Sequence, residues 1–211
     1  PAGIPVHPSQ GHHENTLANA IAWYYRNEET PFVFRAVNRL DRDTSGLILL
    51  AKNPYSSCIL SEAVKEHAIH REYAAIVSEK TDSSGTIDLP IARKDGSTIE
   101  RVCDPERGEA AVTHYQTIAY NKDADLSFIR LLLETGRTHQ IRVHMKAIGH
   151  PLPGDFLYCP DYRLIDRQPL HSTYLSFSHP ATGEKLEFSA PLPQDMQNLF
   201  PDIKNPEGPV F

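Results

Sequence analysis

A charged turn followed directly by an apolar run constrains the fold of this chain more than any other stretch. Residues 38–46 read Asn-Arg-Leu-Asp-Arg-Asp-Thr-Ser-Gly, and residues 47–51 read Leu-Ile-Leu-Leu-Ala. Short polar side chains and glycine allow a tight turn, and the apolar run predicts a buried strand that holds this turn rigidly. Because rigidly held polar loops commonly carry chemistry, Asp41 is the first candidate functional residue.

The other apolar patterns predict more strands than helices. Strand patterns cover residues 32–37, 72–77, 111–119, 126–134, 172–178 and 185–189, and short hairpins are expected within 79–110. Helices are predicted after Asn15 or Thr16, from the Asn53-Pro54 start to about residue 67, from Thr138 to a stop at 149–151, and as one turn over 195–200. Since strands do not alternate regularly with helices, the pattern favours an α+β fold over a doubly wound sheet.

Composition excludes several classes of protein. No stretch approaches the roughly 18 consecutive apolar residues of a membrane helix, and no signal peptide is visible. The three cysteines, Cys58, Cys103 and Cys159, are widely spaced, which argues against disulfides and a cysteine-based zinc site and favours the cytoplasm. The histidines lack metal-site spacing and no phosphate loop is present, so neither a metal nor a nucleotide cofactor is expected. The net charge of −6 is compatible with nucleic-acid binding only through a local basic cleft.

Asp41 has two explanations from its own segment. Arg39 and Arg42 flank it, and nearby positive charge keeps a carboxyl group ionised. An ionised carboxylate can act as a nucleophile or general base at a sugar anomeric centre. A structural ion pair in a turn explains the segment equally well. Asp43 is better explained by a turn bond with the two hydroxyl residues that follow it.

Two further segments carry candidate side chains. On a helix beginning at Thr138, the side chains of His139, Arg142 and Lys146 share one face. Such a basic face at a helix start suits phosphate or carboxylate, although a solvated charged face is the commoner cause of this pattern. Tyr73 lies in an otherwise aliphatic strand, where its ring is either a stacking platform for a base or part of the core.

Together these segments strongly resemble the RluA-type pseudouridine synthases, which act on ribosomal and transfer RNA. The matching segments are residues 1–8, 39–46, Arg71-Glu72-Tyr73, residues 136–155, and His171 with Ser178-His179-Pro180. The resemblance covers the chain to about residue 193. It departs at Asn38, where the family usually has His, and we expect this change to tune the positioning of Asp41 rather than to remove activity.

The resemblance implies a pseudouridine synthase catalytic fold, α+β, with a mixed, mainly antiparallel sheet flanked by helices around a central RNA-binding cleft. A single catalytic domain is expected over 1–211, lacking its natural start and a separate RNA-binding domain. Asp41 would be the catalytic carboxylate that attacks or deprotonates the ribose, so that uracil detaches and rejoins through carbon without cofactor or metal. Tyr73 would stack on the uracil, and Arg142 would pair with Asp41.

The expected partner is structured RNA, because a uridine in a loop leaves its stack most easily. Monomers without membrane contact are expected. The residues assigned to RNA contact are Arg39, Arg42, Thr44, Arg137, His139 and Lys146, with Arg93 and Lys94 as further cleft candidates. One alternative is a catalytically silent RNA-binding scaffold or chaperone of the same fold. Another is a glycoside or nucleoside hydrolase, which would need a second acid such as Asp43 or Asp155.

Overall fold

The computed structural model describes residues 1–9, 11, 13–27, 32–203 and 208–211. Its helices are α1 (Leu17–Tyr24), α2 (Pro54–Lys65), α3 (Gln140–Ala147) and α4 (Gln194–Leu199). Its strands are β1 (Ser45–Gly46), β2 (His70–Ser78), β3 (Ser84–Asp88), β4 (Ile91–Arg93), β5 (Arg101–Cys103), β6 (Val112–Asn121), β7 (Leu126–Leu133), β8 (Leu170–Ser178) and β9 (Lys185–Ser189). None of the described helices is long and apolar enough to cross a membrane.

One mixed, mainly antiparallel sheet organises these elements. The strands lie in the order β1-β8-β2-β7-β6-β3, and β9 pairs with β8. The short β1 runs parallel to β8, whereas β2, β7 and β6 pair with their neighbours in antiparallel fashion. Strands β4 and β5 form a separate hairpin. The predicted α+β class is therefore confirmed.

Strand β2 lies at the centre of the core and separates two apolar clusters. Its residues 71–77 are all buried, and successive side chains of a strand point to opposite faces. Tyr73 and Ala75 pack in the cluster that includes Met145 of α3. Ala74 packs in the cluster that includes Met196 of α4. Because each fully buried large apolar side chain contributes about 1.5–3 kcal/mol, these clusters fix α3 and α4 on opposite sides of the sheet.

Local capping signals place the first two helices as predicted, but α3 begins two residues later than predicted. Thr16 accepts a hydrogen bond from the Asn19 N–H, and Asn53 accepts one from the Ser56 N–H. Helix α3 begins at Gln140 because His139 adopts a left-handed conformation, with φ 58°, at the N-cap. The Gln140 side chain accepts a hydrogen bond from the Arg137 N–H and so organises the turn before the helix.

The prediction of two regular strands around the charged turn, over residues 32–37 and 47–51, is wrong. Residues 32–37 and 47–51 approach each other through the isolated bridge between Ala36 and Leu50, and the apolar run is half-buried up to Leu50. Only Ser45–Gly46 joins the main sheet. Gly46 has φ 110°, and a Cβ there would lie 2.2 Å from the Ser172 carbonyl oxygen. This close approach requires glycine, and its positive φ turns the chain out of the strand after two residues.

Candidate active site

Asp41 and Arg142 are 101 residues apart in the sequence and form a direct ion pair. Nη1 of Arg142 donates to Oδ2 of Asp41 at 2.7 Å. Asp41 lies in the turn before β1, where its carbonyl accepts a hydrogen bond from the Thr44 N–H, and Arg142 lies in the first turn of α3. The Asp41 side chain is 25% exposed and that of Arg142 only 1%. The carboxylate is therefore accessible, while its cationic partner is covered.

A second carboxylate, Asp155, holds Arg142 from the other side. Nε and Nη2 of Arg142 donate to the two oxygens of Asp155 at 2.6 and 2.7 Å. Asp155 is fully buried and also accepts hydrogen bonds from the backbone N–H groups of Leu157 and Tyr158. Burial by itself lowers the pKa of Arg142, but the hydrogen bond to Asp155 and the charge of Asp41 outweigh it and raise that pKa. The guanidinium stays charged and fixed in orientation.

The two arginines that flank Asp41 in the sequence do not form this pair. Nε and Nη2 of Arg42 donate to the carboxylate of Asp43 at 2.9 and 2.8 Å. Arg39 is exposed and has no hydrogen bond or ion pair with the described residues. The expectation that the flanking charges hold Asp41 is therefore wrong, because the packing of α3 brings Arg142 to it instead. Asp43 is a structural ion-pair partner rather than an Asx turn.

His139 approaches Asp41 from the helix start. Its Nε2 lies 3.9 Å from Oδ1 of Asp41, and its Nδ1 lies 2.9 Å from the hydroxyl of Tyr158. That hydroxyl already accepts the Arg101 N–H, so its own proton is available to Nδ1. Burial lowers the pKa of His139 and raises the pKa of Tyr158 to about 12. This network favours a neutral imidazole whose proton is on Nε2, the nitrogen that faces Asp41.

Tyr73 lies on β2 and belongs to the core cluster that also contains Ile141 and Leu170. It also lines the cleft that contains Asp41. The β2–β8 ladder shifts register between Glu72 and Tyr73, and such bulges commonly aim a side chain near an active site. Burial raises the pKa of Tyr73, although the charge of Arg71 opposes this rise. The ring is therefore a fixed, protonated platform at the edge of the cleft.

These side chains open onto a cleft with a volume of about 1130 Å³. Its acidic lining residues are Asp41 and Glu134. Its lysine and arginine lining residues are Arg39, Arg42, Lys65, Arg71, Arg101, Arg137 and Arg142. The cleft is thus strongly basic although the chain carries a net charge of −6. Among the described residues, no group of three or more His, Cys, Asp and Glu side chains is placed to hold a metal ion.

The comparisons with known proteins establish the family. A family model described as RNA pseudouridylate synthase matches residues 1–147. This chain belongs to the RNA pseudouridine synthase family. An uncharacterized RNA pseudouridine synthase of Bacillus subtilis, YjbO, is 47% identical over 194 residues, which are 92% of this chain and 68% of that protein. Members of this synthase family are isomerases, and the resemblance seen in the sequence motifs is confirmed.

Two further members of the synthase family support the assignment. The ribosomal large subunit pseudouridine synthase D of Zymomonas mobilis is 41% identical over 217 residues, covering 95% of this chain and 67% of the relative. The solved structure of human RNA pseudouridylate synthase domain containing 1 has a TM-score of 0.70 at 27% identity, over 83% of this chain and 74% of that one. The chain spans about two thirds of the length of the curated relatives.

Most of the predicted contact residues of this synthase lie in the cleft. Arg39, Arg42, Thr44, Arg137 and His139 line it, whereas Lys146, Arg93 and Lys94 do not. Lys146 instead places its ammonium group 5.5 Å from the centre of the Tyr158 ring. Arg137 pairs with Glu109 and donates to the Ala110 carbonyl, so its position at the cleft is fixed.

Sequence reasoning missed Lys65, Arg71 and Arg101 in the lining, and it considered Asp155 only as the second acid of a hydrolase, not as the partner of Arg142. Arg71 had a signal, since it lies two residues before Tyr73 and therefore on the same face of one strand. Asp155 also had one, because an acid after Gly154 follows the basic helix, but its burial depends on tertiary packing. Lys65 and Arg101 carried no distinguishing signal.

Asn38 is a buried residue that anchors the turn of this synthase. Its Oδ1 accepts a hydrogen bond from the Leu49 N–H at 2.7 Å, which ties the residue before Arg39 to the segment after β1. The turn is therefore held by a hydrogen-bond acceptor on the side chain at position 38, which here is the amide oxygen of Asn.

Proposed function

We propose that this chain isomerises uridine to pseudouridine in ribosomal or transfer RNA, with Asp41 as the catalytic carboxylate. The observation that carries the proposal is the ion pair of Asp41 and Arg142. Its guanidinium is buried and fixed by Asp155, while its carboxylate opens into a basic cleft beside Tyr73. A carboxylate that only stabilised the fold would not need an exposed face next to a stacking ring.

Oδ1 of Asp41 is the atom available to the substrate. Oδ2 accepts the hydrogen bond from Arg142, whereas Oδ1 has no hydrogen-bond partner among the described residues. Oδ1 either attacks C1′ of the ribose or removes a proton from C2′. In both routes the bond between C1′ and uracil N1 breaks, and its electron pair leaves with the base. The base then bonds to C1′ through C5, while the ester bond between Oδ1 and C1′ breaks in the first route and the proton returns to C2′ in the second. Loss of the C5 proton and protonation of N1 then give pseudouridine.

Tyr73 and the cleft arginines have separate roles in this proposal. The Tyr73 ring stacks on the extruded uracil, since base–aromatic stacking contributes about 1–3 kcal/mol and tolerates rotation of the base. Its raised pKa favours this role over that of a phenolate base. Arg142 orients Asp41 through the hydrogen bond from Nη1 to Oδ2. Arg39, Arg42 and Arg137 bind RNA phosphates at the cleft, and Thr44 and His139 contact the target nucleotide.

The cleft also suits the substrate class. RNA binding through phosphates needs local positive charge rather than a basic chain overall. Extruding a paired uridine into such a cleft costs a few kcal/mol of unstacking and unpairing, and extruding an unpaired or looped uridine costs less. We further propose that the chain acts as a monomeric catalytic domain in the cytoplasm, on structured RNA and without a membrane partner, a cofactor or a metal.

Total RNA from a strain that lacks this protein tests the proposal. The RNA is incubated with the wild-type protein and pseudouridine is mapped chemically at each position. Site-specific pseudouridine in ribosomal or transfer RNA is the expected result. RNA binding without modification would favour the silent scaffold instead. Release of free uracil would favour a hydrolase, although Asp155 is buried and Asp43 is paired with Arg42, so the acids that a hydrolase requires are occupied.

A further inference from the structure

Buried polar atoms without partners collect in the cleft. In the described part of the chain, seven residues contain a buried side-chain nitrogen or oxygen that has no hydrogen-bond partner. Three of them, Asn38, Thr44 and Arg71, line the cleft, and the atoms concerned are Nδ2, Oγ1 and Nε. Unsatisfied buried donors oppose folding. A cleft that concentrates them is built for a ligand with acceptor atoms.

Arg71 differs from the other two because it carries a full charge. It is 8% exposed and makes no hydrogen bond or ion pair with another described residue. Two other buried arginines are paired with a carboxylate: Arg130 bonds to Glu72 and Arg142 bonds to Asp155. A buried charge is ordinarily paired because desolvation without compensation is unfavourable. Arg71 is therefore the buried cation of this cleft that has no partner among the described residues.

The surroundings of Arg71 locate the missing partner. Arg71 and Tyr73 are alternate residues of β2, so both side chains point to the cleft face, whereas Glu72 points to the opposite face and pairs with Arg130. The guanidinium also lies beside the loop that leads to α3, because a Cβ on Gly136 would be 3.5 Å from its Nη1. Arg71 thus lies between the stacking ring and the loop before Arg142.

We propose that Arg71 binds the uracil base of the target nucleotide and stabilises its negative charge once the glycosidic bond has broken. This inference rests on the proposed function. The electron pair of the C1′–N1 bond leaves with the base and spreads over N1 and the two carbonyl oxygens. A guanidinium offers donors in a fixed plane to such oxygens, and a covered site strengthens the interaction. The phosphate stays attached to the ribose, outside the position of the base on the Tyr73 ring. The exposed Arg39 therefore suits a phosphate better than the buried Arg71 does.

The test compares wild type, R71M, R71K and D41N on an RNA that carries the mapped uridine. R71M should keep RNA affinity within about threefold, while the single-turnover rate at saturating RNA falls by about 10²–10³, the loss typical of a removed transition-state donor. R71K, which keeps the charge, should lose less. R71M should also be at least as heat-stable as wild type, because it removes an unpaired buried charge. R163M changes an exposed arginine outside the cleft and should alter neither quantity.

If R71M is less stable than the wild type, a second substrate separates the proposed role of Arg71 from a general loss of folded, active protein. Fluorine at C5 of uracil itself stabilises negative charge on the base. The loss of single-turnover rate in R71K and R71M, relative to the wild type, should therefore be about tenfold smaller when the consumption of 5-fluorouridine is measured. Equal deficits on both bases, or a loss of affinity that matches the loss of rate, would overturn the inference and mark Arg71 as a structural or phosphate contact. If R71M turns over at the wild-type rate, this inference is refuted but the proposed function is not. No turnover by the wild type would refute the proposed function and this inference together.

Discussion

Asp155 receives two hydrogen bonds from the guanidinium of Arg142, and this contact directs the third nitrogen of Arg142, Nη1, at Asp41. Asp155 is itself fixed by backbone N–H groups of the loop that follows it. Because Asp155 is fully buried, it does not meet a substrate in the cleft. The orientation of the proposed catalytic acid is therefore set by a positioning residue behind it.

The variant D155N tests this positioning. It keeps the size of the side chain but removes the charge that balances Arg142, so the free energy of unfolding should fall by about 3 kcal/mol. Turnover at saturating RNA should fall by about 10²-fold, since small misplacements of a catalytic group cost this much. D161N is the matched control, because Asp161 pairs with the highly exposed Arg163 and exposed pairs contribute little. Wild-type stability together with wild-type turnover in D155N would contradict the role given to Asp155.

Arg142 should affect turnover more than RNA binding. In R142M, the Asp41 side chain loses its only hydrogen-bond donor among the described residues, while the exposed arginines that we propose as phosphate ligands remain. We expect kcat to fall by at least 10²-fold and the Kd for RNA to change by less than about fivefold. R137M is the comparison, because Arg137 lines the cleft without contacting Asp41, and it should mainly weaken binding. Equal losses of kcat and affinity in R142M would make Arg142 a phosphate contact.

Asn38 should be needed for the position of Asp41 and not only for stability. N38A removes the acceptor for the Leu49 N–H, which should lower the free energy of unfolding by about 1–3 kcal/mol and also slow turnover. N53A is a matched control, because it likewise removes an acceptor for one backbone N–H, at the start of α2 and away from the cleft. N53A should lower stability by about 1 kcal/mol and leave turnover unchanged. Equal turnover in the two variants would contradict a positioning role for Asn38.

Acid should destabilise this fold partly through His171. Burial lowers the pKa of His171 to about 4, against about 6.5 in an unfolded chain. The unfolded state therefore binds the proton first as the pH falls, so stability is complete above pH 6.5 and is lost progressively towards pH 4. The full contribution is about 3 kcal/mol. Urea unfolding of H171N should show a shallower decline over this range than the wild type, because the carboxylate titrations are common to both. Parallel curves would contradict the assignment.

Sequence patterns predicted the features that depend on neighbouring residues. The caps Thr16 and Asn53 bond to backbone N–H groups three residues ahead, and β2 and the β6–β7 hairpin follow from local apolar runs and a polar turn. The segments around the charged turn were harder to predict. Their apolar residues suggested two regular strands, but the close approach of Gly46 to Ser172 ends the pairing early.

The site could be predicted only in part because its charge pairing is decided by packing. Neighbouring charges suggested Arg42 as a partner for Asp41, yet Arg42 bonds to Asp43. The family resemblance supplied the pairing of Asp41 with Arg142, which the structure contains. Neither source gave the burial of Asp155 or the missing partner of Arg71, because both depend on how β2, α3 and the following loop pack together.

Release of tritium from RNA labelled at C5 of uridine tests the central claim most directly, because forming the C1′–C5 bond expels that hydrogen. Wild type and D43N should release tritium at similar rates, since Asp43 pairs only with Arg42 among the described charges. D41N should release it at least 10³-fold more slowly while binding RNA as tightly and remaining folded. Tritium release by D41N at the wild-type rate would contradict the assignment of Asp41 as the catalytic carboxylate.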